Sequence, residues 1–95
     1  MAVRTLTIVM AYDVTRARTR RKVAGLLEDR MTRVQQSVFE ARLTSPAAGV
    51  LFDAVSGILD EGDSLRMYVM TRSGLDKSRA FGGAPLPEER DFWLL

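Results

Sequence analysis

The sequence of 95 residues predicts a single domain of the α+β class. Two amphipathic stretches of helical period, at about residues 15–30 and 44–63, alternate with short apolar runs that have the length of β-strands. The order is strand, helix, one or two strands, helix and strand, followed by an irregular tail. Two strand–helix–strand units around an antiparallel sheet make a ferredoxin-like βαββαβ fold. We expect one domain over residues 1–95, with its core at about 6–72 and a tail at about 73–95.

The first strand leads directly into the first helix. Leu6 to Tyr12 is a short apolar run rich in β-forming residues, which suits one buried strand. Thr15 is expected to cap a helix that runs to about Arg30. The apolar stripe of this helix consists of Val23, Leu26, Leu27 and Met31. Gly25 inside it is a mild local cost and a candidate point of close packing.

The stretch from residue 33 to residue 43 has the composition of a strand, but its apolar phase slips. Val34 lies on one side of the alternation, whereas Phe39 and Leu43 lie on the other. A slip of one residue turns the side chains to the opposite face of a sheet. We therefore expect a bulge or a tight turn near Gln36 and Ser37.

The second helix, the last core strand and the tail follow in order. Ser45 is expected as the N-cap of the helix, with Pro46 at its first helical position and Gly62 just past its end. Residues 64–70 alternate as a strand should. The tail closes with the apolar run "FWLL", residues 92–95. A monomer seldom exposes so much apolar surface, so we expect this tail to dock on a partner subunit.

The composition excludes several classes of function. Because the chain has no histidine and no cysteine, it cannot form a Ser–His triad, a thiol nucleophile or a zinc site of the usual N/S type. It lacks the glycine motifs that bind nucleotide phosphates and the RNP1 motif of RNA-recognition domains. No apolar run is long enough to span a bilayer. With no cysteine to form disulfides, we expect a cytoplasmic protein and no membrane partner.

The net charge of +2 conceals an asymmetry along the chain. From Arg4 to Arg33, the chain has eight Lys/Arg residues and three Asp/Glu residues, so this segment has a net charge of +5. The remainder carries −3, from six Lys/Arg and nine Asp/Glu residues. A positive field on the first strand and helix is the pattern expected of a phosphate-rich partner such as nucleic acid. The alternative is an ordinary solvated helix face.

Asp13 stands alone at the end of the first strand, directly before the basic segment. A carboxylate is a hard ligand, and magnesium is typically held by one or two carboxylates together with waters and substrate phosphates. One carboxylate is too few for a complete site. A homodimer with Asp13 near its two-fold axis would supply two, and two-fold dimers are the commonest small assembly. A metal there could activate water against a phosphodiester.

The basic residues of the first helix divide by their angular position, at about 100° per residue. Arg16 and Arg20 fall over the apolar stripe at the helix end nearest Asp13. The residues that fall on the outward side are Arg18, Arg21 and Lys22. An inward arginine needs an anionic partner, because an unpaired buried charge is very costly. That partner could be Asp13, Glu40 or a bound phosphate, and a purely structural Arg20–carboxylate pair is the alternative.

Three further residues have two interpretations each. Tyr12 can stack on a ligand or pack in the core. Ser37 and Phe39, beside the phase slip, can contact a ligand or only shape the bulge. The sequence leaves these alternatives open.

Four segments together resemble the small CRISPR-associated endonuclease family of spacer acquisition, the second universal adaptation protein and partner of the CRISPR integrase. They are "YDV" (12–14), "RRKVAGLL" (20–27), "RVQQSVFEARL" (33–43) and "LRMYVM" (65–70). The resemblance covers roughly residues 6–72, in the right order and at the right spacing.

The resemblance implies a ferredoxin-like homodimer whose last strand crosses to its partner. It implies Mg²⁺, or Mn²⁺ in its place, between the two strand-one aspartates, and metal-dependent cleavage of single-stranded RNA or double-stranded DNA. It also implies a scaffold role in the integrase complex that inserts foreign DNA. The family's functional positions fall on Tyr12, Asp13, Arg20, Lys22, Arg33, Ser37 and Phe39. The cations after Asp13, with Arg16, Arg18 and Arg21 among them, would hold the nucleic-acid backbone.

Three functions stay open at this point. An endonuclease needs Asp13 and the metal. A non-catalytic scaffold that bridges DNA needs only the dimer and its basic surface. A regulatory domain for a small ligand would bind independently of salt and give Asp13 no special role.

Overall fold

A computed structural model describes the backbone of residues 2–87 and 91–93 and the side chains of residues 4–87. The elements in chain order are β1 (Ala2–Arg4), β2 (Leu6–Asp13), α1 (Ala17–Glu28), β3 (Thr32–Gln35), β4 (Val38–Leu43), α2 (Ser45–Ser56), β5 (Ser64–Met70), α3 (Arg72–Asp76) and β6 (Asp91–Trp93). The order from β2 to β5 is the predicted βαββαβ.

The main sheet has four strands in the order β3-β4-β2-β5, and every neighbouring pair is antiparallel. The two central strands are therefore β4 and β2, with β5 at one edge. This arrangement confirms the ferredoxin-like α+β prediction. The sequence did not predict β1, which pairs with β6 in a separate two-stranded ladder.

The core lies on the face of the sheet that the two long helices cover. Alternate residues of β2 point into it, so Ile8 and Met10 are fully buried and Tyr12 is nearly so. Val23 and Leu27 of α1 and Val55 of α2 belong to the same core cluster, and all three are fully buried. Burying one such aliphatic side chain contributes about 1.5–3 kcal/mol. The predicted apolar stripe of the first helix is confirmed for its helical members, with Leu26 half-buried at the margin. Met31 is buried as predicted but lies beyond the end of the helix.

The opposite face of the sheet, here called the open face, carries a polar network at one end. Thr5 and Thr7 are both buried there. The guanidinium of Arg42 donates through Nη1 to Thr7 Oγ1 at 2.8 Å and through Nε to Thr5 Oγ1 at 3.1 Å. These bonds matter because a buried hydroxyl without a partner would cost about 1–3 kcal/mol.

The start of the first helix differs from its prediction. The N-cap is Arg16 rather than Thr15, and no side chain caps the helix. The backbone N–H of Thr15 instead donates to Asp63 Oδ1 at 3.2 Å, which ties the residue to the turn before β5. The three residues after Asp13 thus form a connecting loop, and the helix begins at Ala17 and ends at Glu28.

The predicted irregularity between residues 33 and 43 is confirmed as both a bulge and a turn. β3 and β4 form a hairpin with Gln36 and Ser37 in its turn. The register shifts between Arg33 and Gln35, which leaves Val34 as the extra residue.

The second helix is shorter than predicted. Its N-cap is Thr44, not Ser45, and the Thr44 hydroxyl accepts from the Ala47 N–H at 3.2 Å. Pro46 accordingly lies one position further into the first turn. The helix ends at Ser56, with Gly57 as the C-cap, because the following amides bond only three residues back, as Ile58 N–H does to Val55 O. Gly62 is not its terminus but lies in the turn before β5, with a φ of 89°.

A short capped helix, α3, begins the tail. Thr71 caps α3 by accepting from the Gly74 N–H at 3.0 Å, and Leu75 is buried. β6 pairs with β1 of the same chain. Leu94 and Leu95 of the "FWLL" run lie outside the described residues, so docking of the tail on a partner stays a prediction. No helix among the described residues is long and apolar enough to cross a membrane.

Gly25 is not a point of close packing, since a Cβ built there would meet no atom within 4 Å. We expect Gly25→Ala to raise the free energy of unfolding by about 0.5–1 kcal/mol, because alanine costs less backbone entropy in a helix. Urea denaturation followed by far-UV circular dichroism measures the change.

Gly62→Ala is the matched control, because the added Cβ also meets nothing there but the φ of 89° is unfavourable for alanine. This variant should lose stability. If Gly25→Ala also lost stability, the prediction would be wrong, and α1 would have a contact at Gly25 with something other than this chain.

Candidate metal and nucleic-acid site

The alternation of β2 places Asp13 on the open face of the sheet, whereas Tyr12 points into the core. Asp13 is exposed and forms the last pair of the β2–β5 ladder, opposite Ser64. Within the described part of the chain, its carboxylate has no hydrogen bond and no ion pair. Its oxygens are therefore available to a ligand.

A cleft of about 530 Å³ opens beside Asp13. It lies between the end of β2, one side of α1 and the β3–β4 turn. The lining residues are Tyr12, Asp13, Val14, Ala17, Arg20, Arg21, Ala24, Arg33, Gln36 and Ser37. Three guanidinium groups thus share one cleft with a single carboxylate. The cleft therefore has an excess of positive charge and is suited to an anion.

Arg20 has different partners from those predicted. Its Nη1 donates to the carbonyl oxygens of Val14 at 3.1 Å and Thr15 at 2.6 Å. The expected anionic partners, Asp13 and Glu40, do not pair with it, nor does any other carboxylate among the described residues. The residue is exposed overall, so backbone carbonyls suffice where a buried charge would need an anion. A guanidinium has five N–H donors, so Arg20 can hold the loop and still bind a phosphate.

One angular prediction, that for Arg16, was wrong. Arg21 is exposed, in agreement with its outward angle, and it also lines the cleft. Arg16, expected near Asp13, instead has its Nε 3.9 Å from Asp60 Oδ2, with 71% of its side chain exposed. The reason is that the cleft lies to one side of the helix, towards the β3–β4 turn, rather than directly over its apolar stripe. Arg18 and Lys22 are exposed and do not line the cleft, in agreement with their outward angles.

The third arginine of the cleft rests on a stack of aromatic rings. The Arg33 guanidinium carbon lies 5.1 Å from the centroid of the Phe39 ring, and Nη2 lies 2.9 Å from Glu28 Oε1. The Tyr12 ring lies 6.2 Å from that of Phe39 at an interplanar angle of 25°. A cation over an aromatic face gains about 0.5–2 kcal/mol. The stack thus supports Arg33 at the cleft.

Of the residues with two interpretations, two are packing residues. Tyr12 is 8% exposed and its hydroxyl donates to Gln36 O at 3.3 Å. Phe39 is fully buried, so it cannot touch a ligand directly. Ser37 is half-buried in the turn, lines the cleft and accepts from the Tyr12 N–H through its backbone carbonyl at 3.0 Å.

Sequence reasoning missed two carboxylates in the turn before β5. Asp63 accepts from the Thr15 N–H through Oδ1 and from the Asp60 N–H, at 2.8 Å, through Oδ2. Asp60 in turn accepts from Thr19 Oγ1 at 3.0 Å. The available signal was the run "DEGD", since aspartates that flank a glycine turn commonly bond to backbone N–H groups.

The described residues of one chain do not form a complete metal site. No group of three or more Asp, Glu, His or Cys side chains comes together within residues 4–87, where side chains are described. Asp13 supplies one oxygen-donor carboxylate of the hard type that Mg²⁺ prefers. Its exposure leaves room for waters, a phosphate and a second carboxylate from outside the chain.

Known proteins resemble this chain over most of its length. The family model described as CRISPR-associated protein Cas2 matches residues 6–78. The CRISPR-associated endoribonuclease Cas2 2 of Synechocystis sp. is 37% identical over 89 residues, which cover 92% of this chain and 96% of the relative.

Solved structures share the fold. A crystal structure of the Thermus thermophilus protein TT1823 has a TM-score of 0.73 and 34% identity, covering 88% of this chain and 99% of that one. A chain of a partial Cas6-RT–Cas1–Cas2 complex has a TM-score of 0.70 and 25% identity, covering 95% and 99%. With the family match spanning most of the chain, this protein belongs to the CRISPR-associated protein Cas2 family.

Proposed function

We propose that this chain is a metal-dependent endonuclease of CRISPR adaptation that cleaves phosphodiester bonds in RNA or double-stranded DNA. The observation that carries the proposal is the unpartnered Asp13 carboxylate beside Arg20, Arg21 and Arg33 in one cleft. The name of the Synechocystis relative, an endoribonuclease, supports this reaction class. The occurrence of the fold in a complex that contains Cas1 supports a second role as a scaffold for the integrase.

The residues of the cleft would have different roles in such a reaction. Asp13 would hold Mg²⁺, or Mn²⁺ in its place, which when bound activates water and offsets charge on the phosphate. Arg21 and Arg33 present guanidinium donors that match phosphate oxygens in pairs. Arg20 fixes the loop beside Asp13 and retains free donors for the backbone. Arg18 and Lys22, outside the cleft, add to the positive field along α1.

A homodimer completes the site in this proposal. Asp13 lies on the open face at the end of a strand, where a second copy can bring its own Asp13 close across a two-fold axis. β5 stands at the edge of the main sheet, and its Tyr68 and Val69 are 54% and 52% exposed. An exposed apolar edge strand is usually covered in a stable assembly.

The variant Asp13→Asn keeps the shape of the side chain but removes the anionic ligand. Magnesium-dependent cleavage should fall by more than about a hundredfold, since even the outer partners of metal sites are worth about 10–100-fold. Binding to nucleic acid should survive, because the three arginines remain. The measurement compares cleavage of RNA and duplex DNA with and without Mg²⁺, alongside binding to the same substrates.

Asp53→Asn is the matched control, since Asp53 is an exposed carboxylate on α2 away from the cleft. It should cleave like the wild type. If Asp13→Asn also cleaves like the wild type, the endonuclease proposal is wrong and the scaffold function is favoured.

Binding to duplex DNA should depend steeply on salt, because the cleft recognises phosphates and has no base-reading motif. The slope of log K against log salt should shrink by about 0.9 for each DNA phosphate that a variant no longer neutralises. Arg21→Ala should show this smaller slope, and Arg18→Ala, outside the cleft, should change the slope less. Fluorescence anisotropy across a salt series measures both slopes.

A binding constant that does not change with salt would instead favour the small-ligand function. A larger effect of Arg18→Ala than of Arg21→Ala would place the nucleic acid on the outer face of α1.

The protein should sediment as a dimer at micromolar concentration, because one chain supplies only one carboxylate to the metal. Analytical ultracentrifugation of the full chain checks this. A monomer at all concentrations would remove the shared-metal site, even if the chain bound DNA.

A further inference from the structure

The carboxylate of Asp63 joins two segments that are far apart in sequence. Oδ1 accepts from the Thr15 N–H at 3.2 Å, in the loop that follows Asp13. Oδ2 accepts from the Asp60 N–H at 2.8 Å, within the turn before β5. The Asp63 residue is half-buried, and both bonds lie at the solvent-exposed surface. A carboxylate that accepts from two backbone N–H groups forms charge-assisted bonds, which are stronger than neutral ones.

The same peptide unit is held from its other end by Arg20. The N–H of Thr15 and the C=O of Val14 belong to one planar peptide group. Arg20 Nη1 donates to that carbonyl at 3.1 Å and to the next one, Thr15 O, at 2.6 Å. With Asp63 on its N–H and Arg20 on its C=O, the peptide group cannot rotate without breaking a charge-assisted bond.

The turn that carries Asp63 is itself anchored to α1. Asp60 Oδ2 accepts from Thr19 Oγ1 at 3.0 Å and lies 3.9 Å from Arg16 Nε. Thr19 is buried, which limits the freedom of this contact. Asp63 also immediately precedes Ser64, whose register partner is Asp13. The bonds of Asp63 and Arg20 to the Val14–Thr15 peptide, here called the clamp, therefore lie next to the last pair of the β2–β5 ladder.

We propose that Asp63 is a positioning residue, which fixes the Val14–Thr15 peptide and so sets the position of the Asp13 carboxylate. This proposal rests on the metal-dependent function proposed above. One residue, Val14, separates Asp13 from the clamped peptide group, and its side chain is buried in the core. Asp13 has no partner of its own among the described residues. Its placement depends on the backbone beside it, and sites of this kind work only when held to within about 0.5 Å.

The variant Asp63→Asn tests the clamp with little change of shape. An amide has one acceptor oxygen, and its NH₂ would oppose the second N–H donor, so one of the two bonds must be broken. Glu61→Gln is the matched control, since it removes the same charge from the same turn. Glu61 is exposed and has no hydrogen bond or ion pair to any residue whose side chain is described.

Three measurements on the full chain are combined. Hydrogen exchange by NMR reports on the Thr15 amide, Mg²⁺ titration reports on the Asp13 amide shift, and steady-state kinetics separate kcat from KM. In the wild type, the Thr15 amide should exchange about tenfold or more slowly than an unprotected amide, because one charge-assisted hydrogen bond is strong enough to slow exchange by that factor. Asp63→Asn should lose this protection, need several-fold more Mg²⁺ for the Asp13 shift, and lose kcat about tenfold with KM for nucleic acid little changed.

A merely structural role for Asp63 predicts a different result. It would lower the melting temperature of Asp63→Asn but leave kcat and the Mg²⁺ titration unchanged well below that temperature. That outcome overturns the proposal, as does an unprotected Thr15 amide in the wild type, a test that requires no variant to fold. Equal effects of Glu61→Gln and Asp63→Asn also overturn it, since charge alone would then explain the loss.

Failure of the proposed function gives a separate signature. If the wild type does not cleave, the Mg²⁺ titration still decides, because a weaker Asp13 response in Asp63→Asn supports the positioning role without catalysis. If Mg²⁺ does not shift the Asp13 amide in the wild type, both proposals are wrong. If the wild type cleaves and Asp13→Asn does not, the proposed function holds. If Asp63→Asn then cleaves like the wild type although its Thr15 amide exchanges fast, only the positioning role is rejected.

Discussion

The pairing of β2 on both sides is the constraint on which the rest of the molecule depends. β2 is bonded to β4 along one edge and to β5 along the other, so its register cannot slip without breaking two ladders. A one-residue shift would also bring Ile8 and Met10 out of the core. The same register decides that Asp13 ends the strand on the open face. The burial of the core and the location of the candidate site are therefore consequences of one alignment.

The electrostatics of the cleft follow from what lies beside that strand end. An exposed carboxylate costs little to leave unpaired, so Asp13 needs no partner for the fold to be stable. The arginines around it are held by other contacts: Arg20 by backbone carbonyls, and Arg33 by the Phe39 ring and an exposed ion pair with Glu28 worth at most about 1 kcal/mol. Because no arginine in the cleft neutralises Asp13 directly, both charge types stay available to ligands.

The sequence predicted the order of elements well because periodicity records which side of each element is apolar. It could not place Arg21, because the angle of a residue on its helix does not reveal that the neighbouring hairpin stands to one side of the stripe. The same limit hid the partners of Arg20 and the role of Asp63, which depend on contacts between distant segments. The caps differed by one residue from expectation. Either Thr44 or Ser45 could cap the second helix, whereas the first helix begins after Arg16 without a side-chain cap.

The proposed binding and the proposed cleavage rest on separable parts of this structure. Arg20 and Arg33 are held by contacts that do not involve Asp13, so a chain without the Asp13 carboxylate would still present a positive cleft. Asp13, in turn, contributes nothing to the core, since it is exposed and unpartnered among the described residues. A fold built in this way can retain nucleic-acid binding as a scaffold whether or not the carboxylate is used. The two proposed roles thus rest on the independence of the strand-end carboxylate from the contacts that hold Arg20 and Arg33.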